Sequence, residues 1–256
     1  MQSLNKYWYI GLICCCVNIV SAQSDTILRS INVPFFSVDY GINLPAVDLN
    51  DRFGFFNSVG VNVGYKTNSN WQISFGGNAL FGNKVNSLQS IQHILNEDSL
   101  INGSSGALAQ YSIIMRGLSI GIKAKKIINL NKANLNSGII VQLGTGYLQH
   151  KIRFEDLKNQ VPQFRGDYLK LIDRLTGGIY INQAIGYQYF SNNKLVNFSA
   201  VFEVTEGFTN SLRSYNINAE KPIESAGRLD LFYSLKFTWL LPFYKKSYSK
   251  DKYFYD

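Results

Sequence analysis

Between Arg228 and Lys246 the chain reads RLDLFYSLKFTWLLPFYKK, and its residue types alternate with a period of two. Leu229, Leu231, Tyr233, Leu235, Phe237, Trp239 and Leu241 form one set. Asp230, Phe232, Ser234, Lys236, Thr238 and Leu240 form the other. Such alternation marks a β-strand whose two faces meet different surroundings. A strand in a soluble sandwich usually runs about five or six residues, whereas this pattern persists from Leu229 to Leu241. A tilted strand that crosses a bilayer needs about nine to eleven residues, apolar outward and polar inward, with aromatics at the interfaces.

The pattern recurs along the chain. Phe36, Val38, Tyr40, Ile42 and Leu44 alternate with Ser37, Asp39, Gly41 and Asn43. Val59, Val61, Val63 and Tyr65 alternate with Gly60, Asn62, Gly64 and Lys66. Trp71, Ile73, Phe75, Ala79 and Phe81 oppose Gln72, Ser74, Gly76 and Asn78. Similar runs follow at Ile139 to His150, Ile179 to Tyr189 and Phe198 to Gly207. The polar sets are rich in Gly and small residues, which suits the inside of a narrow barrel better than the outer face of a sandwich.

One stretch breaks phase. In GALAQYSIIMRGLSIGIKAKKIIN the apolar set is Ala107, Ala109, Tyr111, Ile113 and Met115, then Leu118, Ile120, Ile122 and Ala124. The slip at Arg116-Gly117 implies either a tight turn or a β-bulge. Connection lengths favour the bulge. Short connections at Thr67–Asn70, Asn129–Ser137 and Ser191–Lys194 alternate with long ones at Pro45–Arg52, Gly82–Ser105, Arg153–Thr176 and Thr209–Gly227. Outer-membrane barrels have short periplasmic turns and longer external loops. The expectation is therefore an all-β fold, an eight-stranded antiparallel up-and-down transmembrane barrel spanning residues 33–246.

The first residues, MQSLNKYWYIGLICCCVNIVSAQ, carry Lys6, an apolar run from Tyr7 to Val20 and a small-residue Val-Ser-Ala site. That reads as a secretory signal peptide over 1–22, followed by a short periplasmic segment at 23–32 and a periplasmic tail at 247–256. Cys14, Cys15 and Cys16 all fall inside the signal, so the exported chain is expected to hold neither disulfide nor Cys-ligated metal. The formal charge is +8, with basic residues scattered rather than striped. Nucleic acid is not an expected partner.

The eight-strand plan resembles the OmpA-type transmembrane barrel. From about Gly138 to Lys246, the segments GTGYLQHKIRFED, VPQFRGDYLKLIDRLTGG and IGYQYFSNNKLVNFSAVFEVTEGFT resemble an outer-membrane β-barrel family of Bacteroidota without an assigned activity. The resemblance implies location in the outer membrane. It implies contact with outer-membrane lipid and recognition of Tyr233, Phe237, Trp239 and Phe243 by the barrel-assembly machinery during insertion. It implies no catalytic residue.

The residues offer few chemical groups. His93 lies in a long loop, and His150 faces inward near a strand end, where Glu203 could approach it. No Ser is placed beside them by a motif, so no catalytic, cofactor or metal site is expected. Inward parity gathers Asp39, Glu203 and Asp230 with Lys66, Lys123, Lys125 and Lys236. Charges in a narrow lumen must pair or stay hydrated. They form either a structural network that fills the barrel or the lining of an ion path, and eight strands leave room only for side chains. The third long loop carries balanced charge and apolar residues, which points to a folded loop. Phe164, Arg165, Asp167 and Tyr168 are its candidate partner surface, with a self-packed lid as the alternative.

The function expected is a non-enzymatic outer-membrane barrel, a structural or accessory subunit of an envelope protein complex. The alternatives are a narrow transport barrel for ions or a small apolar ligand, and a lipid-modifying enzyme using His150.

Overall fold

The period-two runs all form long strands. The computed structural model describes residues 30–86, 89–98, 100–104, 106–130, 134–156, 158–191, 196–216, 221–222 and 227–244. The expected signal segment and the C-terminal tail lie outside these residues. The barrel strands are β1 (Val33–Val47), β2 (Phe56–Lys66), β3 (Trp71–Gly82), β4 (Tyr111–Ile128), β5 (Gly138–Asp156), β6 (Thr176–Phe190), β7 (Asn197–Ser211) and β8 (Arg228–Pro242). Each pairs antiparallel with the next, and β8 returns to β1 with Leu235 opposite Ile42, so the sheet is a closed barrel. Closure satisfies every ladder within the ring and removes the free edges that an open sheet would leave in lipid.

The outside is apolar. Ile73, Leu143, Ile179, Ile185, Leu235 and Trp239 are among its exposed side chains. Trp71, Tyr187, Phe198, Trp239 and Phe243 are exposed toward the end that carries the short connections, where a periplasmic aromatic girdle belongs. That end is called periplasmic below, and the end with the long connections is called outer.

Arg116 and Gly117 lie inside one uninterrupted strand, as the eight-strand count requires. There is no bulge. Met115, Arg116, Gly117 and Leu118 face Ile152, Lys151, His150 and Gln149 of β5 in unbroken register. The slip has a different cause. Tyr111, Ile113 and Met115 point into the barrel, not outward, and Met115 is fully buried. The inner face of β4 is apolar near the outer end and polar below, so apolar residues change face while the backbone keeps its period.

That apolar inner face belongs to a lid. Met115, Leu80, Leu148, Ile152, Phe154 and Phe232 from the strands pack with Leu49 and Phe53 of the first long loop. Ile91 and Ile101 of the second loop, and Val161, Phe164 and Ile172 of the third, complete the cluster. Within the third loop a short helix, α1 (Gly166–Ile172), follows a 3-10 turn at Pro162–Phe164. At the periplasmic end Phe35, Phe190 and Leu240 form a smaller apolar floor. Tyr180 fits across the wall because Gly121 faces it: a Cβ on Gly121 would lie 2.5 Å from the Tyr180 hydroxyl.

Candidate functional site

The strand parity that turns Asp39, Lys123, Lys125, Glu203, Asp230 and Lys236 inward leaves each of them 8% exposed or less. The structure divides them into separate groups. Lys236 Nζ lies 2.5 Å from Glu203 Oε1, and Gln142 donates to Glu203 Oε2 at 2.8 Å. Thr205 adds a hydroxyl contact to Oε1 at 3.3 Å. Asp39 accepts from Asn62 Nδ2 at 2.6 Å. Lys123 and Lys125 share this chamber but make no hydrogen bond or ion pair among the described residues.

Asp230 belongs to a second group, higher in the barrel. His150 Nε2 and Asp230 Oδ2 are 2.8 Å apart, and Thr209 Oγ1 donates to the same oxygen at 2.5 Å. Phe53 sets its ring edge-on against His150 at 5.5 Å. Glu203, the group that strand position brought toward His150, is held by Lys236 instead. Phe232 lies between the two groups on β8 and packs into the apolar lid.

Lys66 forms a third group at the periplasmic mouth. Its ammonium reaches Asn70 Oδ1 at 2.8 Å, Asn136 Oδ1 at 2.9 Å and Ser30 Oγ at 3.2 Å, with the carbonyls of Ile31 and Thr67 at 3.4 Å. Neutral oxygens surround the charge and tie the segment before β1 across the barrel end. Among the described residues several buried polar atoms of the lumen lack a partner, including both side-chain ends of Gln72 and Gln188 toward the periplasmic end, and Asp39 Oδ2. A cavity of about 10 Å³ lies between Asn43, Ser58, Asn78, Asn182, Glu203 and Lys236. That is about the space of one water molecule.

The outer loops are cross-linked. Arg52 donates to Thr176 Oγ1 at 2.6 Å and to the Arg174 carbonyl at 3.4 Å, joining the first loop to the third. Burial pushes the Arg52 guanidinium down to about 10, with the neighbouring charge of Arg228 acting in the same direction. Arg213 grips Asp173 through Nε at 2.8 Å and Nη2 at 2.5 Å, joining the fourth loop to the third. These hydrogen bonds donated to Asp173 hold the Arg213 guanidinium above its usual range. Tyr168 and His93 Nε2 are 2.6 Å apart, joining the third loop to the second. Burial raises the Tyr168 phenol above its ordinary value.

Within the expected partner loop, Phe164 turns inward and packs against Phe154 with the rings tilted and their centres 4.9 Å apart. Tyr168 is half-buried, while Arg165 and Asp167 are exposed. The hydrogen bond and the charge of Lys170 depress the Asp167 carboxyl. The Arg213–Asp173 fork had no signal in the sequence, because the two residues sit in different loops outside any period. Among the described residues no cluster of His, Cys, Asp and Glu is grouped to hold a metal.

A closed ring of eight antiparallel strands, apolar outside and polar within, defines an integral β-barrel of the outer-membrane class. No family model matches this sequence, and neither does any curated protein. Among solved structures the fold is similar to Neisserial surface protein A, with a TM-score of 0.45, 11% identity, and coverage of 82% of this chain and 97% of that one. It is also similar to Ail, the attachment invasion locus protein of Yersinia pestis, with a TM-score of 0.41, 9% identity, and coverage of 82% and 99%. The outer membrane protein OprG from Pseudomonas aeruginosa aligns with a TM-score of 0.38, 10% identity, and coverage of 83% and 98%. At these values the likeness is one of architecture.

Proposed function

We propose that the chain is a non-enzymatic structural or accessory subunit of an envelope protein complex, and that its outer surface is the part that meets other proteins. One observation carries this reading. The lumen is filled by side chains, among them the Lys236–Glu203 pair, and is capped by an apolar lid above and by the Lys66 knot and apolar floor below. A barrel built this way invests its long loops in a fixed outer surface rather than in a passage. The taxonomic part of the resemblance, Bacteroidota, belongs to the same proposal and rests on the segments from Gly138 to Lys246. Outer-membrane lipid and the assembly machinery are the partners this reading requires during insertion.

The test is mild extraction of the tagged protein from its native membrane, followed by identification of co-purifying envelope proteins. A defined assembly is expected. Reversing the exposed charges with Arg165→Glu and Asp167→Lys should weaken it while heat-modifiable mobility stays normal. A monomer under every mild detergent would sink the proposal. The transport reading draws on the unpaired Lys123 and Lys125, and planar-bilayer recording of refolded protein checks it; discrete conductance would favour it over the subunit reading. Little favours a lipid-modifying enzyme, because His150 is 1% exposed and its Nε2 is committed to Asp230.

A further inference from the structure

The outer wall carries a cationic groove that the subunit reading does not use. Along β4 the outward-facing residues from the periplasmic side include Ile128, Lys126, Ala124, Ile122, Ile120, Leu118 and Arg116. Lys126 lies over the Trp71 ring at 5.1 Å from its centre, in the aromatic girdle. The ten steps from Lys126 to Arg116 rise about 3.3 Å each along a strand tilted by about 40°. They therefore span about 25 Å, the height of the apolar band of an outer-membrane barrel. With Lys126 at the inner boundary, Arg116 stands at the outer one, level with the headgroups of the outer leaflet.

Arg116 is directly opposite Lys151 of β5. Like charges facing each other across a strand pair destabilise a sheet. Neither residue has a carboxylate partner among the described residues; Arg116 donates to the Met115 carbonyl at 3.0 Å. Beside them a groove of about 220 Å³ opens on the wall, lined by Arg116, Leu118, Gln149, Lys151 and Leu175. Arg116 and Lys151 face each other in the upper part, with Leu175 beside them at the outer start of β6. Leu118 and Gln149 form the pair two residues nearer the periplasm, and Leu118 continues into the exposed column of Ile120 and Ile122. A ligand that fits needs a phosphate above and an acyl chain below.

We propose that this groove binds a phosphorylated glycolipid of the outer leaflet. The phosphate bridges Arg116 and Lys151 and relieves their repulsion. Gln149 donates to the same headgroup, and one acyl chain lies along Leu118 and Ile120. Arg offers a fork for two phosphate oxygens and Lys a point charge, a combination suited to one bridging phosphate.

The experiment uses the refolded full chain in mild detergent with added lipid, read by native mass spectrometry. The probes are bisphosphorylated lipid A and the same lipid A with its phosphates removed. Wild-type protein should retain one phosphorylated lipid through detergent exchange and lose the dephosphorylated one. Arg116→Gln and Lys151→Gln should each lower retention about fivefold, and the double variant about twenty-fivefold, the factor expected for each basic residue at an anionic surface. Lys126→Gln, on the periplasmic side of the same strand, should change nothing. Removing one of two opposed cations does not threaten folding, and heat-modifiable mobility verifies the barrel in each variant. Equal retention of the dephosphorylated lipid would overturn the proposal in favour of a plain acyl groove. Unchanged retention in the double variant would overturn it as well. Displacement of the lipid by inorganic phosphate at equal concentration would show an anion site without lipid specificity, which also overturns it.

Discussion

The outer half and the periplasmic half of the barrel interior are lined by the same eight strands and are built on opposite principles. The outer half is mainly apolar: Phe53, Phe56, Met115, Ile152 and Phe232 pack as in a soluble core beside one buried polar group, His150 with Asp230 and Thr209. The periplasmic half is charged, with Lys236 held by Glu203 and with Lys123 and Lys125 left without a close partner among the described residues. The outer half can be apolar because folded loops lie over it and shield it from water. The periplasmic half is covered by one short segment and a small floor, so it keeps polar groups that tolerate some hydration. An inner face is thus not polar by rule. It takes the polarity of whatever covers its end.

The strongest way to break this contrast is to remove one charge from the lower half. Glu203→Leu strands Lys236 in a closed chamber beside two further lysines, and loss of one partner of a buried pair costs about 3–5 kcal/mol. Unfolding in urea from lipid vesicles, followed by tryptophan fluorescence, measures the change. A cost under about 1 kcal/mol would mean that the chamber is as wet as bulk solvent. The upper half fails by loss of packing instead. Met115→Ala should destabilise by about 2–5 kcal/mol, the cost of truncating a core side chain. Little or no loss would return Met115 to the lipid face.

The wall itself supplies a sharper comparison. Leu235 is exposed on the outside near mid-strand, while adjacent Lys236 faces inward. Leu235→Arg places a charge in hydrocarbon at about 2–4 kcal/mol, whereas Lys236→Arg keeps its charge in the lumen. The yield of heat-modifiable barrel should fall for the first and hold for the second. Equal yields would invert the assignment of faces. The smallest effect belongs to the double change Glu203→Leu with Lys236→Met. Replacing a buried ion pair by apolar groups of similar volume is often neutral or mildly stabilising. Stability near that of wild type would show that the loss in Glu203→Leu arises from the abandoned charge and not from missing bulk.

Most of the frame was legible. Strict alternation gave the faces of β1, β2, β3, β5, β6, β7 and β8, and connection lengths gave their number. The face of β4 above Arg116 was not legible, because period-two reasoning assumes that each face has one polarity along its length. Met115 obeys the backbone period and breaks the polarity rule. Parity also turned Glu203, His150 and Asp230 inward but could not say which of them meet. His150 on β5 and Asp230 on β8 touch across the lumen rather than along a ladder. Such contacts depend on strand stagger around the ring, which no local pattern encodes. The loop fork of Arg213 and Asp173 joins residues from two connections, where sequence offers composition but no geometry.

The pairing of β1 with β8 bears on how the barrel forms in time. Every other strand pair joins neighbours in sequence, so each can zip as a hairpin while the chain is being delivered. The seam between Ile42 and Leu235 spans almost the whole described chain. Its loop-closure entropy is the largest of any contact, although that cost grows only with the logarithm of length. Until the seam forms, the backbone groups of β1 and β8 that it satisfies stay open, in a solvent that offers them nothing. Closing the seam is therefore the contact that removes the last open backbone edges from lipid, and it joins the residues farthest apart in the described chain.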